Sequence, residues 1–189
     1  MHTVDVLIVG GGVGGLSCAI TLASAENKPW FGNRTVLVLD DGRSDLAKAR
    51  LFNAPGIPPG TSGKQTLLNM RDQLAQYDAA SLIIDRVVKA KRKDGIWTII
   101  AESGAEYECH IVVLATGYKR WEIDELPASP IPHPRGGKLD RIMLEHDGAY
   151  CVATDLYVAG LLGGGSSQFA IASGIGAQVG VEILSCWAG

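Results

Sequence analysis

The stretch Val4-Asp5-Val6-Leu7-Ile8-Val9-Gly10-Gly11-Gly12-Val13-Gly14-Gly15-Leu16 decides the fold. Val4–Val9 is a short apolar run stopped by glycine, the pattern of a strand buried on both faces of a parallel sheet. Gly10, Gly12 and Gly15 stand in the spacing G-x-G-x-x-G, and Leu16–Ala25, rich in Ala and Leu, reads as a helix. Each glycine has a steric reason. Gly10 permits the tight turn, Gly12 lets a diphosphate come up to the backbone, and Gly15 lets the helix close on the sheet. Val13 and Gly14 complete a turn whose free N–H groups, with the positive end of the helix dipole, favour a diphosphate.

Working outward, Asn27–Arg34 is a polar connection, longer than usual for its place. Thr35–Leu39 is a second buried strand, closed by Asp40 and Asp41, so that strand, glycine turn, helix and strand make a βαβ unit. Asp40 directly follows the apolar run and is the expected acid for a ribose hydroxyl, with Asp41 as its competitor. An acid here suits an unphosphorylated ribose, that of FAD or of NAD, and these residues do not separate the two.

The rest of the chain extends the same architecture. After a loop with Pro55, Gly56, Pro58, Pro59 and Gly60, Ser62 is expected to cap a helix running to about Tyr77. Leu67, Leu68, Met70 and Leu74 are expected on its apolar face. Ser81–Lys89, Trp97–Ala101 and Glu106–His110 read as strands of an antiparallel flap, with turns at Asp94-Gly95 and Ser103-Gly104. Ile111–Ala115 reads as another buried strand, closed by Thr116-Gly117. Leu126–Gly137, with Pro127, Pro130, Pro132 and Pro134, reads as a crossing loop. Leu156–Ala159 is a further parallel strand, and Gln168–Trp187 the last helix. The prediction is an α/β fold over residues 1–189: a single three-layer Rossmann-type domain with a parallel central sheet and a small antiparallel flap.

Composition narrows the function. A net charge of −3 argues against a phosphate-backbone partner, so no nucleic acid is expected. Cys18, Cys109, Cys151 and Cys186 form no C-x-x-C pair, which argues against a zinc site, a sequential dithiol and a disulfide framework. The N-terminus lacks a basic leader, and no stretch reads as long and apolar enough for a membrane, so a cytoplasmic protein is expected.

Four later segments carry a resemblance. Asn53-Ala54-Pro55-Gly56 resembles an N-F-P-G turn, and Ala115-Thr116-Gly117 an A-T-G strand end. Thr154–Gly160 resembles T-x-x-x-x-A-G, and Gln168–Gly176 resembles a Q-A-x-x-A-A-G-x-G helix start. Together with the glycine turn, and in this order, they resemble the FAD domain of the thioredoxin-reductase-like flavoproteins, the smaller class of pyridine nucleotide-disulfide oxidoreductases. The resemblance implies FAD as cofactor. It places Asn53 against the flavin ring and Ala115, Thr116 and Gly117 beside it. Gly160 and Leu161 fall at the ribityl chain, and Gln168 and Phe169 beneath the pyrimidine end. Val88, in the segment Ser81–Lys89, completes the candidate set.

The chain departs from this family in ways that bear on function. The family inserts a nicotinamide-binding domain, which carries its C-x-x-C, between the A-T-G region and the final segment. Here residues 1–117 and 154–189 are family-like, and only the short bridge 118–153 stands between them. The acid expected after Gly160 is Leu161, and Ser167 stands where the family has Arg. Gly163–Ser167 offers backbone N–H groups and hydroxyls in place of that acid. His133 and His146 fall in the bridge, where an isolated histidine is usually structural. The expectation is an FAD-dependent oxidoreductase with neither its own nicotinamide domain nor a redox dithiol. Its donor is expected to be a small molecule or a protein, and a homodimer is the assembly to test. The alternatives are a non-catalytic FAD-binding or electron-relay module and, more remotely, an NAD-binding module.

Overall fold

The computed structural model describes residues 2–119 and 121–189; Met1 and Arg120 lie outside the described residues. The chain opens with β1 (His2–Val9), α1 (Val13–Ala23) and β2 (Val36–Asp40). β1 and β2 are parallel, with Val6 opposite Val36 and Val9 opposite Leu39. The long α1–β2 connection is anchored by Phe31, which is buried and meets Trp187 edge-on at 5.6 Å. Arg34 lies over the same indole at 4.8 Å.

A small ribbon follows, β3 (Arg50–Leu51) with β4 (Thr61–Ser62), and it brackets the Asn53–Pro59 loop. Ser62 caps α2 (Gly63–Leu74) as expected, its hydroxyl accepting the Gln65 N–H at 3.1 Å. Leu67 and Leu74 are buried, but Leu68 is 41% exposed. At 100° per residue it falls off the stripe that joins positions 67, 70 and 74.

The segment 81–89 is two strands rather than one: β5 (Ala80–Ile84) and β6 (Val87–Lys93). β5 is parallel to β2, and the chain turns where the Asp85 N–H donates to the Asp40 carbonyl at 3.0 Å. β6 pairs antiparallel with β7 (Ile96–Ala101) through Asp94 and Gly95, both at positive φ (50° and 85°), as a tight hairpin turn demands. The two strands expected over 106–115 are one, β8 (Glu106–Leu114). Its first half pairs antiparallel with β7, while its whole length runs parallel to β1.

The bridge is built, not merely looped. It carries β9 (Pro130–Pro132) paired antiparallel with β10 (Ile142–Leu144), so part of the expected crossing loop is strand. β11 (Cys151–Ala153) then pairs antiparallel with β12 (Leu156–Val158), which adds to β8 in parallel. The main path of the sheet is β11-β12-β8-β1-β2-β5, with β6 and β7 branching from β8 as the flap.

Alternation along β1 divides the core. Val6 and Ile8 face α1, α2 and α3 (Phe169–Ala188), together with Leu16, Leu22, Leu74, Val179 and Ile183. Leu7 and Val9 face the flap, with Trp97, Ile99 and Leu156. Three layers result: helices, sheet, flap. A Cβ on Gly176 would lie 2.1 Å from the Gly14 carbonyl oxygen, and one on Gly180 would lie 2.8 Å from Thr21 Cβ. The C-terminal glycines thus let α3 press against α1. With 20 residues and a mean hydropathy of 1.5, α3 is long and apolar enough to cross a membrane, although none was expected to be. Its apolarity comes from Phe169, Ile171, Ile175, Val179, Val181, Ile183 and Leu184, of which Ile175, Val179 and Ile183 are buried in the core.

Candidate cofactor site

The carboxyl ends of the parallel strands converge on the glycine turn. The Gly10 N–H donates to the Leu39 carbonyl at 2.7 Å, Ala115 to Val9 at 2.8 Å, and Ala159 to Leu114 at 2.8 Å. β2 and β5 lie to one side of β1, and β8 and β12 to the other. The crevice where the strand order reverses is where open α/β sheets take their ligands.

Adding a Cβ to each glycine in turn separates packing from vacancy. On Gly10, at φ +110°, it would lie 2.5 Å from the Ala115 oxygen; on Gly11, 2.6 Å from the Asp40 carboxyl carbon. On Gly14 it would lie 2.6 Å from Gly160 Cα, and on Gly15 only 1.9 Å from the Gly10 oxygen. Gly12 differs: its nearest neighbour would be Ser44 Oγ at 3.4 Å, an ordinary contact. The protein's own packing explains the first four glycines and not Gly12. Space is kept open there, at the N-cap of α1.

Asp40 is 2% exposed and fully engaged. Its Oδ1 accepts the N–H groups of Gly11 (3.2 Å) and Gly42 (3.1 Å), and its Oδ2 accepts Arg71 Nη2 at 2.6 Å. Asp41 is more open and pairs with Arg43 at 2.7 Å. It lines a charged cleft of about 550 Å³ beyond the ends of β2 and β5, with Arg43, Asp85, Arg86, Glu102 and Glu122. Arg86, held by Glu102 at 2.6 Å, has its pKa raised by that carboxylate. Val88 lies further along β6, where its carbonyl accepts the Asp124 N–H at 3.0 Å.

On the other side of the turn, Asn53 and Gln168, 115 residues apart, meet: Asn53 Nδ2 donates to Gln168 Oε1 at 2.7 Å. Gln168 is the N-cap of α3, and Phe169 its first residue. Phe169 also lines a second cleft, of about 640 Å³, with Ser17, Thr21, Pro55, Met70 and Ser173. Ala115 and Gly117 are half-buried and Thr116 is exposed, at the end of β8. Tyr118 donates to Ser167 Oγ at 3.3 Å. Gly160 opens a 3₁₀ turn through Gly163, in which the Leu161 carbonyl accepts the Gly164 N–H at 3.1 Å.

Sequence reasoning missed Arg71 and Ser44. Arg71 lies in a helix whose exposed face holds other polar residues, and no local pattern ties it to an acid 31 positions earlier. The residues brought together are Gly10, Gly12, Val13, Gly14, Gly15, Ala115 and Gly160 around the turn, with Asn53 and Gln168 paired beside them.

Comparison with known proteins gives the family and the fold. A family model described as Pyridine nucleotide-disulphide oxidoreductase matches residues 4–149. The chain belongs to that family. The thioredoxin reductase of Borreliella burgdorferi is 29% identical over 125 residues, 66% of this chain and 36% of that protein. The thioredoxin reductase of Streptomyces coelicolor is 29% identical over 113 residues, 60% of this chain and 34% of that protein. The chain thus spans about a third of the length of the curated relatives it matches. Among solved structures, an oxidoreductase from Agrobacterium tumefaciens superposes with a TM-score of 0.80 at 14% identity, covering 98% of each chain. A thioredoxin reductase from Gloeobacter violaceus gives 0.77 at 14% identity, covering 97% of this chain and 95% of that one. These structural likenesses carry the fold, which is Rossmann-like.

Proposed function

We propose that this chain binds FAD at the β1–α1 turn and serves as an oxidoreductase, with a cytoplasmic location. The observation that carries the reading is the open space above Gly12, where four neighbouring glycines are closed by packing. A diphosphate in that space would be held by the N–H groups opening α1. The adenosine would extend toward Asp41 and the charged cleft. The ring system would extend toward Asn53, Ala115–Gly117 and Gln168. Bound there, a flavin supplies the electron-transfer chemistry, and the protein supplies position and electrostatics. The first turn of α3 turns its electropositive end to that region and favours negative charge. Asn53 and Gln168, already paired, fix each other's amide orientation for a hydrogen-bonding edge.

This reading includes no dithiol step within the chain. Cys18 and Cys109 are buried, Cys151 is half-buried and Cys186 exposed, and all four are free. The test is reconstitution. The purified protein is expected to take up FAD rather than FMN and to turn yellow. Gly12→Val should keep the fold, since among the described residues only Ser44 comes within 4 Å of an added Cβ, and lose most of the cofactor. A colourless protein that refuses added FAD, or full occupancy in Gly12→Val, would sink the assignment. Failure to bleach the loaded protein with any small donor would leave the reading as an electron-relay module standing in place of the enzyme.

A further inference from the structure

Among the described residues, the bridge 118–153 donates hydrogen bonds to the 160–165 loop from three side chains, each to a different carbonyl. His133 Nε2 donates to the Leu161 oxygen at 3.0 Å, and His146 Nε2 donates to the Gly163 oxygen at 3.2 Å. Arg135 Nη1 donates to the Gly164 oxygen at 3.1 Å. The two imidazoles are built alike. His133 Nδ1 accepts the Arg135 N–H at 3.0 Å, and His146 Nδ1 accepts the Gly148 N–H at 3.2 Å. A ring nitrogen that accepts carries no proton, so both rings are neutral tautomers protonated at Nε2. His133 is 8% exposed, and its ring meets Tyr118 edge-on at 5.6 Å; His146 stacks on Tyr150 at 4.8 Å.

Shape reinforces these bonds. A Cβ on Gly163 would lie 3.2 Å from the Tyr150 ring, and one on Gly164 would lie 3.2 Å from the end of Met143. At its other end the loop is closed by Gly160, whose Cα lies 2.6 Å from where a Gly14 Cβ would stand. The loop is therefore pinned between the bridge and the glycine turn of α1. This is also the loop in which Leu161 stands where a carboxylate was expected; its own anchor is the buried Leu162, and the polar contacts that orient its carbonyls come from the bridge.

We propose that His133, Arg135 and His146 are positioning residues that hold the 160–165 loop against the Gly12–Gly14 turn and thereby set how tightly FAD is retained. The inference rests on the FAD reading above. The bridge is then a structural part of the cofactor site, and the three side chains act on it through the loop's backbone carbonyls. They act by turning the loop's carbonyls toward the bridge and fixing the distance between the two backbone segments that flank the ligand space.

The test uses the full chain. FAD affinity is measured by fluorescence quenching for the wild type, for His133→Ala with His146→Ala, and for His133→Gln with His146→Gln. Hydrogen exchange at residues 161–165 is followed on the same proteins without FAD. Two lost hydrogen bonds should weaken FAD by about 5- to 30-fold and speed exchange in the loop. Gln places an N–H near the former Nε2 and should restore both readouts to within about twofold of the wild type. Unchanged affinity or unchanged exchange in the Ala pair overturns the clamp. A wild type that takes up no FAD overturns the flavin reading, and loop exchange still decides the clamp. Should the Ala pair fail to fold, ¹⁵N spectra of the wild-type imidazoles decide it. Two Nε2–H tautomers are expected, and an Nδ1–H tautomer at either histidine overturns the proposal.

Discussion

At the scale of single residues, Asp40 shows how one carboxylate can serve a loop before it serves a ligand. Its oxygens tie Gly11 and Gly42 to Arg71, so it holds the turns that follow β1 and β2 in register. Asp40→Asn should therefore destabilise the FAD-free protein by about 1–3 kcal/mol, since an amide leaves at least one of these donors without an acceptor. Urea unfolding without cofactor checks this. An unchanged midpoint, with only FAD affinity altered, would assign the residue to the ribose instead. The cysteines give a second residue-scale prediction. Burial pushes the Cys18 thiol far up and the Cys109 thiol up to about 12, so both stay protonated at pH 8 and resist alkylation. Iodoacetamide on the native protein should label exposed Cys186 first, with Cys18 and Cys109 labelled only after unfolding. Rapid labelling of either buried thiol, read by mass spectrometry, would contradict the packing.

At the scale of elements, the glycines of α3 separate cleanly. Gly176→Ala puts a Cβ 2.1 Å from the Gly14 oxygen and should cost about 1–3 kcal/mol or more by overpacking. Gly174→Ala meets nothing within 4 Å and should be neutral, or stabilise by up to about 1 kcal/mol through helix propensity. Thermal melts of the two variants compare them directly. In the adjoining loop, Leu161→Asp restores the expected acid and should tighten FAD; unchanged or weaker affinity would show that position 161 faces elsewhere.

The legibility of the elements followed the range of the interaction that forms them. The β1–α1–β2 unit and the Ser62 cap were readable because turn, cap and apolar run lie close together in sequence. The break at Asp85-Arg86 was not. Ala80–Ile84 and Val87–Lys93 are both strand-forming with only Asp85-Arg86 between them, and what separates them is a distant partner: β2 for the first, β7 for the second. The opposite error, splitting 106–115, arose because alternating Glu106–His110 gives way to continuous apolar Ile111–Leu114. The change of pattern marks a change of neighbours along one strand, not a break in it. The Asn53–Gln168 pair was legible only as two separate resemblances, and the Arg71–Asp40 pair not at all.

At the scale of the whole molecule, the issue is what replaces a nicotinamide domain. The described bridge is a two-stranded ribbon, the short strand β11 and connecting loops, with no second G-x-G-x-x-G turn. Hydride transfer requires the donor ring to be held against the flavin, positioning that contributes roughly 7–11 kcal/mol to lowering the barrier. NADPH and NADH offered alone should therefore reduce the bound flavin slowly and without saturation in anaerobic stopped flow. Saturable bleaching at about 1–10³ per second, typical of enzymes, would reveal a nicotinamide site in this chain. Assembly belongs to the same scale. Ile171 (39% exposed) and Val181 (46%) lie on an outer face of α3 that also holds Gly174, Ser185 and the Gln178–Glu182 pair. A homodimer covering that face is expected in sedimentation velocity, and a concentration-independent monomer would exclude it.

β8 belongs to two layers at once, since its first half completes the flap and its whole length lies beside β1. No linker separates the flap from the sheet along this strand, so one cannot melt while the other stays intact. Calorimetric and van't Hoff enthalpies should therefore coincide, as for a single cooperative unit. The amides of β1 and the central part of β8 should open only with global unfolding, and so be the last in the molecule to exchange with solvent.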